Sequence, residues 1–383
     1  MSHNNDHLLV AAEEDLASFL EGPITSYDHL RNFDFGPDDR RNVSCLSKYI
    51  SHRTLFEYDV IAKTLASYRH EDVEKFVQEV FWRIYWKGWL EHRPTVWDEF
   101  VSFNFDHVSN PIYQNAINGN TGINCFDSWV SELQDRNYLH NHTRMWFASI
   151  WIFTLGLPWQ LGARFFMQHL LDGDAASNTL GWRWVAGVQT VGKHYLARSD
   201  NISRYTDGRF GDDTLNEDAE PCSDNSHHPI IPIDAAGGMN RKSDTLIVFD
   251  TDLHTASPQT YADYDNILVL CLGNDERNIA LSEPVLAFKH TLINNFVMRC
   301  PNASVSDSAS ILKLAAIKKG ADVVYPFVGD NLDYLKRLVA RTNMTLHIRK
   351  RPEDIYCWQY AKKGFFNFKK NIPGIIDAII VGR

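Results

Sequence analysis

No two cysteines in this chain are spaced as CxxC. The six cysteines, at 45, 125, 222, 271, 300 and 357, are scattered along 383 residues, so neither a structural zinc site nor an iron–sulfur cluster has its ligand spacing. There is no run of about 18 apolar residues, the length needed to span a bilayer. The start, Met1-Ser-His-Asn-Asn-Asp6, lacks the charged region and apolar core of a secretory signal. Unpaired thiols without a leader predict a cytoplasmic protein that does not enter a membrane. GxGxxG and P-loop signatures are absent, and with them the usual nucleotide cradles. No internal repeat or low-complexity tract occurs.

What is present fits a soluble two-domain protein. The length exceeds one typical core, and 44% of residues are hydrophobic. Net charge is −10, which by itself disfavours nucleic acid as a partner. Residues 136–209 run against that balance, with eight Lys/Arg facing four acids and four histidines among them. Such a stretch reads either as a basic face able to track a phosphate backbone or as an ordinary solvated surface.

Ten of the eleven tryptophans lie between 82 and 184, and the other is Trp358. Apolar residues recur at helical spacing over 54–68, 71–91, 126–136, 140–156 and 160–171, predicting an all-helical first domain over 1–208. Residues 209–243 are polar and turn-rich, including Pro221 to Pro229 and Gly237-Gly238, and read as a linker. From 244 to 383 the rhythm changes. Strand-like runs at 245–250, 266–272, 321–326 and 345–349 alternate with helical patterns at 283–299, 308–319 and 331–342. That alternation predicts a Rossmann-like parallel α/β domain after the helical one.

The segment Asp172-Gly173-Asp174 to Trp184 packs two acids, an amide (Asn178) and two tryptophans (Trp182, Trp184) into thirteen residues. This composition suits a buried redox heterocycle beside a stacking surface. Four further segments precede it in order: Tyr27-Asp-His-Leu-Arg31-Asn32, Val43-Ser44-Cys45-Leu46-Ser47, Glu79-Val-Phe-Trp82-Arg83 and His140-Asn141-His142-Thr-Arg144-Met145. Together, from about 22 to 210, they resemble the FAD-binding domain of the photolyase/cryptochrome family. The sequence departs from the family where Val43 replaces a threonine and Ile84 a glutamate.

The resemblance implies FAD as cofactor. It places Tyr27, Ser44, Leu46 (through its backbone), Ser47 and Arg83 around the pyrophosphate, which needs hydroxyls, N–H groups and a cation. Asp174 would accept from the flavin N3–H, Asn178 would lie near N5, and Arg144 would pair with Asp172 beside the ring. A nearby cation favours reduced, anionic flavin. Trp82 and Trp184 match walls of a cavity for flipped bases, Glu79 and Asn141 its polar groups, and Met145 a contact to the lesion. Relatives acting on (6-4) photoproducts carry histidines where Asn141 and Met145 stand, so the implied substrate is DNA containing cyclobutane pyrimidine dimers. Asn178 is the photolyase-like choice where plant-type cryptochromes carry aspartate. Trp182 and Trp159 match the first two members of an electron-transfer chain. The third position falls near His107 and has no tryptophan, leaving Trp151, Trp146 or Tyr113 as terminal candidates.

Residues 244–383 resemble the family's antenna domain through Leu246-Ile-Val-Phe-Asp-Thr-Asp252-Leu253-His254, with His254 where arginine is usual. In the family this domain comes first, so the order here reads as circularly permuted. Gly273-Asn274-Asp275 and Gly329-Asp330-Asn331 follow strands and read as turns or as the lining of a crevice at the strand ends. A folate, a deazaflavin, a second flavin and no chromophore at all remain open for this crevice. The sequence thus predicts a light-driven lyase acting on pyrimidine dimers. The alternative is a cryptochrome-like blue-light receptor that repairs nothing.

Overall fold

Stripes of apolar side chains at three- and four-residue spacing close most of the first 205 residues into helices. The computed structural model describes residues 7–107, 109–234, 240–255, 261–318 and 320–381. The predicted turn at Gly237-Gly238 and the last residue of the 308–319 helix lie outside these.

The helices of the first part are α1 (His7–Glu21), α2 (Tyr27–Leu30), α3 (Ser47–Ile50), α4 (Glu57–Ser67), α5 (His70–Glu91), α6 (Thr95–Val101), α7 (Pro111–Asn118), α8 (Asn124–Arg136), α9 (Asn141–Ser149), α10 (Trp159–His169), α11 (Ala175–Ala186) and α12 (Ser199–Tyr205). After α9 the chain continues as a π-helical turn, Ile150–Thr154. One core gathers Trp97, Trp129, Trp146, Trp151 and Trp182 between α6 and α11. A second lies between α1, α4 and α5. Residues 209–234 form no helix or strand. They lie against the helices instead, with Cys222 N–H on Ala186 O (2.9 Å) and Ile231 N–H on His92 O (2.8 Å).

The second part contains β1 (Thr245–Phe249), β2 (Asn266–Leu270), α13 (Glu283–Arg299), β3 (Ala303–Ser306), α14 (Ser308–Ile317), β4 (Gly320–Val324), α15 (Asp330–Arg341), β5 (Thr345–Arg349), α16 (Pro352–Trp358), α17 (Phe365–Lys369) and α18 (Ile372–Ile379). All strand pairs are parallel, in the order β3-β2-β1-β4-β5. The four predicted strands form within two residues of their expected bounds. β3 is an addition: its Ala-Ser-Val-Ser is short, polar and at the sheet edge, so it lacks the apolar run that announces a strand. α16 to α18 also fall outside the predicted elements. Rather than cover the sheet, they bring Trp358, Phe365, Phe368 and Ile375 into the core built on α5.

The two parts meet through buried charge. The fully buried Arg53 guanidinium reaches Asp354 (2.7 Å), Glu57 (3.0 Å) and Asp252 (3.1 Å), and Arg351 also grips Asp252 (2.7 Å). Arg53 (φ 53°) and Phe327 (φ 65°) both adopt the left-handed backbone conformation, and the Phe327 ring lies 4.6 Å beneath the Arg53 guanidinium. Non-glycine residues hold that conformation only where their surroundings over-determine it.

Candidate functional site

The turn between α10 and α11 is tight because Gly173 N–H bonds Leu170 O at 3.1 Å, and a Cβ on Gly173 would come within 3.2 Å of that oxygen. The turn sets two carboxylates at the start of α11. Asp174 caps the helix, its Oδ1 accepting from Ala176 N–H (3.1 Å) and Ser177 N–H (2.9 Å). Its Oδ2 faces Arg83 Nη2 from α5 at 3.2 Å. Asp172 is buried and pairs with Arg144 Nη1 from α9 at 3.0 Å. Burial would raise the Asp172 carboxyl, but the Arg144 and Arg83 guanidiniums and the Ser47 hydroxyl outweigh it and hold the group below its ordinary value. Arg144 Nε donates to Leu139 O (2.9 Å), and its guanidinium lies 5.4 Å from the Tyr138 ring centroid.

Five sequence-predicted residues, Ser47, Arg83, Arg144, Asp172 and Asp174, therefore converge at one turn. Ser51 joins them unforeseen: its hydroxyl donates to Asp172 O at 2.9 Å and accepts from Arg83. Tyr138, under Arg144, is the other residue the sequence did not single out. Both stand outside every motif; their only signal is that each lies a few residues from one.

Asn178 is buried one turn into α11, and its amide N–H donates to Ala163 O (2.8 Å). Leu46 is buried and starts α3, while Ser44 is half-buried in the preceding loop. Tyr27 and Glu79 interact electrostatically, and burial raises both groups above their ordinary ranges. Asn141, the first residue of α9, is exposed, and Met145 one turn on is half-buried. His140 is fully buried and caps α9 through Nδ1 (3.2 Å), a packing residue rather than a surface one.

Each candidate wall tryptophan already has one face covered. Trp184 lies against Tyr195 (centroids 5.8 Å apart, planes 25° off parallel) and Trp82 against Phe365 of α17 (3.6 Å, 12°). Trp159 stacks on Phe100 at 5.8 Å, and Trp182 packs edge-on against Phe166 at 5.0 Å.

The donor set fits a ligand that is both anionic and rich in hydrogen-bonding edges. Around the turn, Arg83 Nε, Asp172 Oδ1 and Ser177 Oγ are buried polar atoms with no hydrogen-bond partner in the protein. Unsatisfied donors and acceptors side by side are costly unless a bound molecule meets them. Arg83 with Ser44 and Ser47 offers what a pyrophosphate needs, and the Asp172–Asn178 stretch supplies acceptors for a heterocycle edge.

A recess of about 60 Å³ opens at the carboxyl ends of β1 and β4, where the strand order reverses. Gly329, Asp330 and Asn331 line it, as do Gly173 and Asp174 from the flavin-like turn. Gly273 to Asp275 do not; Asn274 braces Leu281 instead. Among the described residues, one group with metal-ligand chemistry converges: Glu99, Asp224 and His228. Arg183 already answers its charge by pairing with Asp224 at 3.0 Å. No helix of the described residues is long and apolar enough to cross a membrane.

Residues 76–208 match the family model of the FAD binding domain of DNA photolyase. A deoxyribodipyrimidine photo-lyase of Neurospora crassa is 33% identical over 129 residues, covering 31% of this chain and 20% of the relative. One from Streptomyces griseus is 29% identical over 208 residues, covering 50% of this chain and 44% of the relative. A crystal structure of a bacterial class III photolyase from Agrobacterium tumefaciens superposes with a TM-score of 0.44 at 24% identity, over 51% of this chain and 42% of that one. The chain thus spans less than half the length of these curated relatives. Arg83, Arg144, Asp172 and Asp174 all lie inside the matched region, and the helical part of this chain is similar there to the FAD binding domain of DNA photolyase.

Proposed function

We propose that this protein is a light-driven, FAD-dependent lyase that splits cyclobutane pyrimidine dimers in DNA. The observation that carries the reading is the Arg144–Asp172 pair, set at the Asp-Gly-Asp turn with Asn141 and Met145 on the same helix as Arg144. Bound and reduced, FAD supplies the photo-excited electron; the protein supplies position and electrostatics.

Ser44, Ser47, the Leu46 backbone and Arg83 would hold the pyrophosphate, with Tyr27 beside them. Binding would draw Arg83 away from Asp174 and free that carboxylate for the ring edge. Arg144 stays paired with Asp172, so its charge remains fixed beside the ring plane. Asn178 presents an amide oxygen, which can neither donate nor take up a proton at neutral pH. Burial raises the Glu79 carboxyl above its ordinary range, and in its protonated form it could donate to a pyrimidine carbonyl. Trp82 and Trp184 each keep one ring face for a flipped base, and stacking is worth about 1–3 kcal/mol per base.

The test is repair. Protein purified in the dark, with its flavin chemically reduced, is mixed with an oligonucleotide carrying a thymine dimer and illuminated with near-UV or blue light. Regain of thymine absorbance that Glu79→Ala or Asn141→Ala abolishes supports the lyase reading; no repair with reduced FAD bound overturns it.

A second reading, a light receptor without repair, has its own observation. His52 joins the flavin turn to the α/β part, with Nε2 3.0 Å from Leu171 O and Nδ1 2.7 Å from Asp250 O. A change at the turn thus has a direct mechanical path to β1. Light-dependent protease sensitivity in residues 209–234, with no dimer splitting, would favour this reading.

A further inference from the structure

The C-terminal segment Ala361 to Asn371 carries four lysines, at 362, 363, 369 and 370, and three phenylalanines. No acidic residue stands anywhere from 355 to 376, in a chain whose net charge is −10. The segment runs antiparallel along α5. Arg93 donates to Lys362 O (2.7 Å), Tyr85 OH to Lys363 O (2.9 Å), Phe365 stacks on Trp82 (3.6 Å) and Lys369 pairs with Glu74 (3.1 Å).

Helical residues advance about 100° each. On α5, Trp82 therefore stands between the side that holds this segment (Glu74, Tyr85) and the side that turns to the flavin site (Glu79, Arg83). Anything seated against Trp82 from the flavin side continues onto this segment.

Its exposed face is unusual for a solvated loop. Phe365 and Phe368 are buried and anchor the turn, whereas Phe366 is 81% exposed beside exposed Lys362, Lys363 and Lys370. Along the same ridge Trp86 and Trp89 are half-buried, and Arg93 lies 4.2 Å over the Trp89 ring. Cations that follow a row of aromatic faces are what a nucleic-acid strand requires: charge for phosphates and flat surfaces for bases.

We propose that the Lys362–Lys370 turn is a second DNA-binding surface, which grips the strand beside a lesion held at Trp82. The lysines meet phosphates, and Phe366 enters the base step next to the flipped nucleotides. Apolar wedges of this kind fill the gap left by unstacking. The proposal rests on the reading that DNA is the substrate.

Two fluorescent duplexes, one with a thymine dimer and one undamaged, test it by anisotropy over a range of salt. The variants are Lys362→Ser with Lys363→Ser, and separately Phe366→Ser. All three positions are exposed, so bound FAD and melting temperature should match the parent and serve as the folding control. The double lysine variant should weaken both duplexes alike and flatten the salt dependence, by roughly 0.9 in log–log slope for each phosphate no longer neutralised. Phe366→Ser should cost affinity for the dimer duplex more than for the undamaged one. Unchanged affinity and slope in both variants overturn the proposal. Equal wild-type binding of the two duplexes, still weakened by the lysine changes, supports the surface and counts against the lyase reading. Wild-type protein that binds neither duplex overturns both. Vesicles containing phosphatidylserine form the last arm: sedimentation with them that the lysine changes abolish, without effect on DNA, overturns the proposal in favour of a lipid surface.

Discussion

Trp182 meets Trp151 edge-on, ring centroids 6.2 Å apart and planes at 83°, and Trp151 in turn meets Tyr113 at 6.0 Å and 84°. The π-helical turn after α9 carries Trp151 into this position. Trp159, which the sequence resemblance places second, leads to Phe100, which does not readily carry a hole, and has the Arg183 guanidinium 5.8 Å from its ring centroid. A fixed cation there opposes a second positive charge. Trp151 instead donates its indole N–H to Pro158 O at 3.0 Å, a dipole that favours a cation on the ring. Light-driven flavin reduction should therefore slow more in Trp151→Phe than in Trp159→Phe, and Tyr113→Phe should remove a tyrosyl signal in electron paramagnetic resonance. The reverse order of effects would place the hole on Trp159.

Gly162 makes the seat for Trp182. A Cβ at that position would stand 2.2 Å from Trp182 Cη2. Gly162→Ala must push the indole or the α10 backbone aside, an overpacking cost of about 1–3 kcal/mol. Denaturant unfolding should show that loss, and flavin photoreduction should slow in the same variant because the first ring has moved.

The Arg144–Asp172 pair sets a dependence on acid. Asp172 has a folded-state pKa below its unfolded one. The stability it contributes is therefore present above the unfolded value and is lost as pH falls through the folded one. Arg144→Met leaves a buried carboxylate without its main partner, which costs about 3–5 kcal/mol. We expect this variant to lose bound FAD and to begin acid unfolding at a higher pH than the parent, as flavin absorbance and circular dichroism would show.

Much of this site was legible because its residues act locally. Asp172, Asp174 and Asn178 occupy one turn and one helix, so a linear motif captures them, and α13 forms at its expected bounds, 283–299, because its apolar stripe is long. What the sequence hid depends on contacts between distant segments. Nothing local tells Phe365 that it will cover Trp82, since an apolar residue near the C-terminus serves a sheet or a helix equally well. Ser51 is equally anonymous until α5 and the Asp-Gly-Asp turn close on it. Arg53 reads as a surface cation until Asp252 and Asp354, some two hundred and three hundred residues on, surround it.

Glu91 couples the interface between the two parts to pH near neutrality. It accepts from Tyr325 OH (2.6 Å) and Val328 N–H (2.9 Å). Burial nevertheless outweighs these bonds and pushes its carboxyl up to about 7. A carboxyl that holds its proton more tightly when folded stabilises the fold less as pH rises from its unfolded value, near 4.3, to about 7. Glu91→Gln keeps an acceptor and removes that titration. Its stability relative to the parent should therefore increase from pH 5 to pH 8. A difference that stays flat over that range would show that Glu91 does not titrate there.

Arg53 tests whether buried charge holds the two parts together. It faces Glu57, Asp252 and Asp354, but these are not equally dependent on it. Lys87 also answers Glu57 at 2.9 Å, and Arg351 answers Asp252 at 2.7 Å. Asp354 has Arg53 and a hydrogen bond from Tyr58 OH (3.1 Å). Arg53→Met should cost about 3–5 kcal/mol, most of it the penalty of leaving Asp354 buried and charged. If so, adding Asp354→Leu should restore part of the stability, because removing both charges of a buried pair costs less than removing one. Glu57 sharpens the test: burial would raise it, but Arg53 and Lys87 hold it down to about 2. Arg53→Met should therefore move the acid transition to higher pH, whether or not Asp354 is changed. A double variant less stable than Arg53→Met alone would mean that the cluster acts through packing around Phe56 and Phe327 rather than through charge.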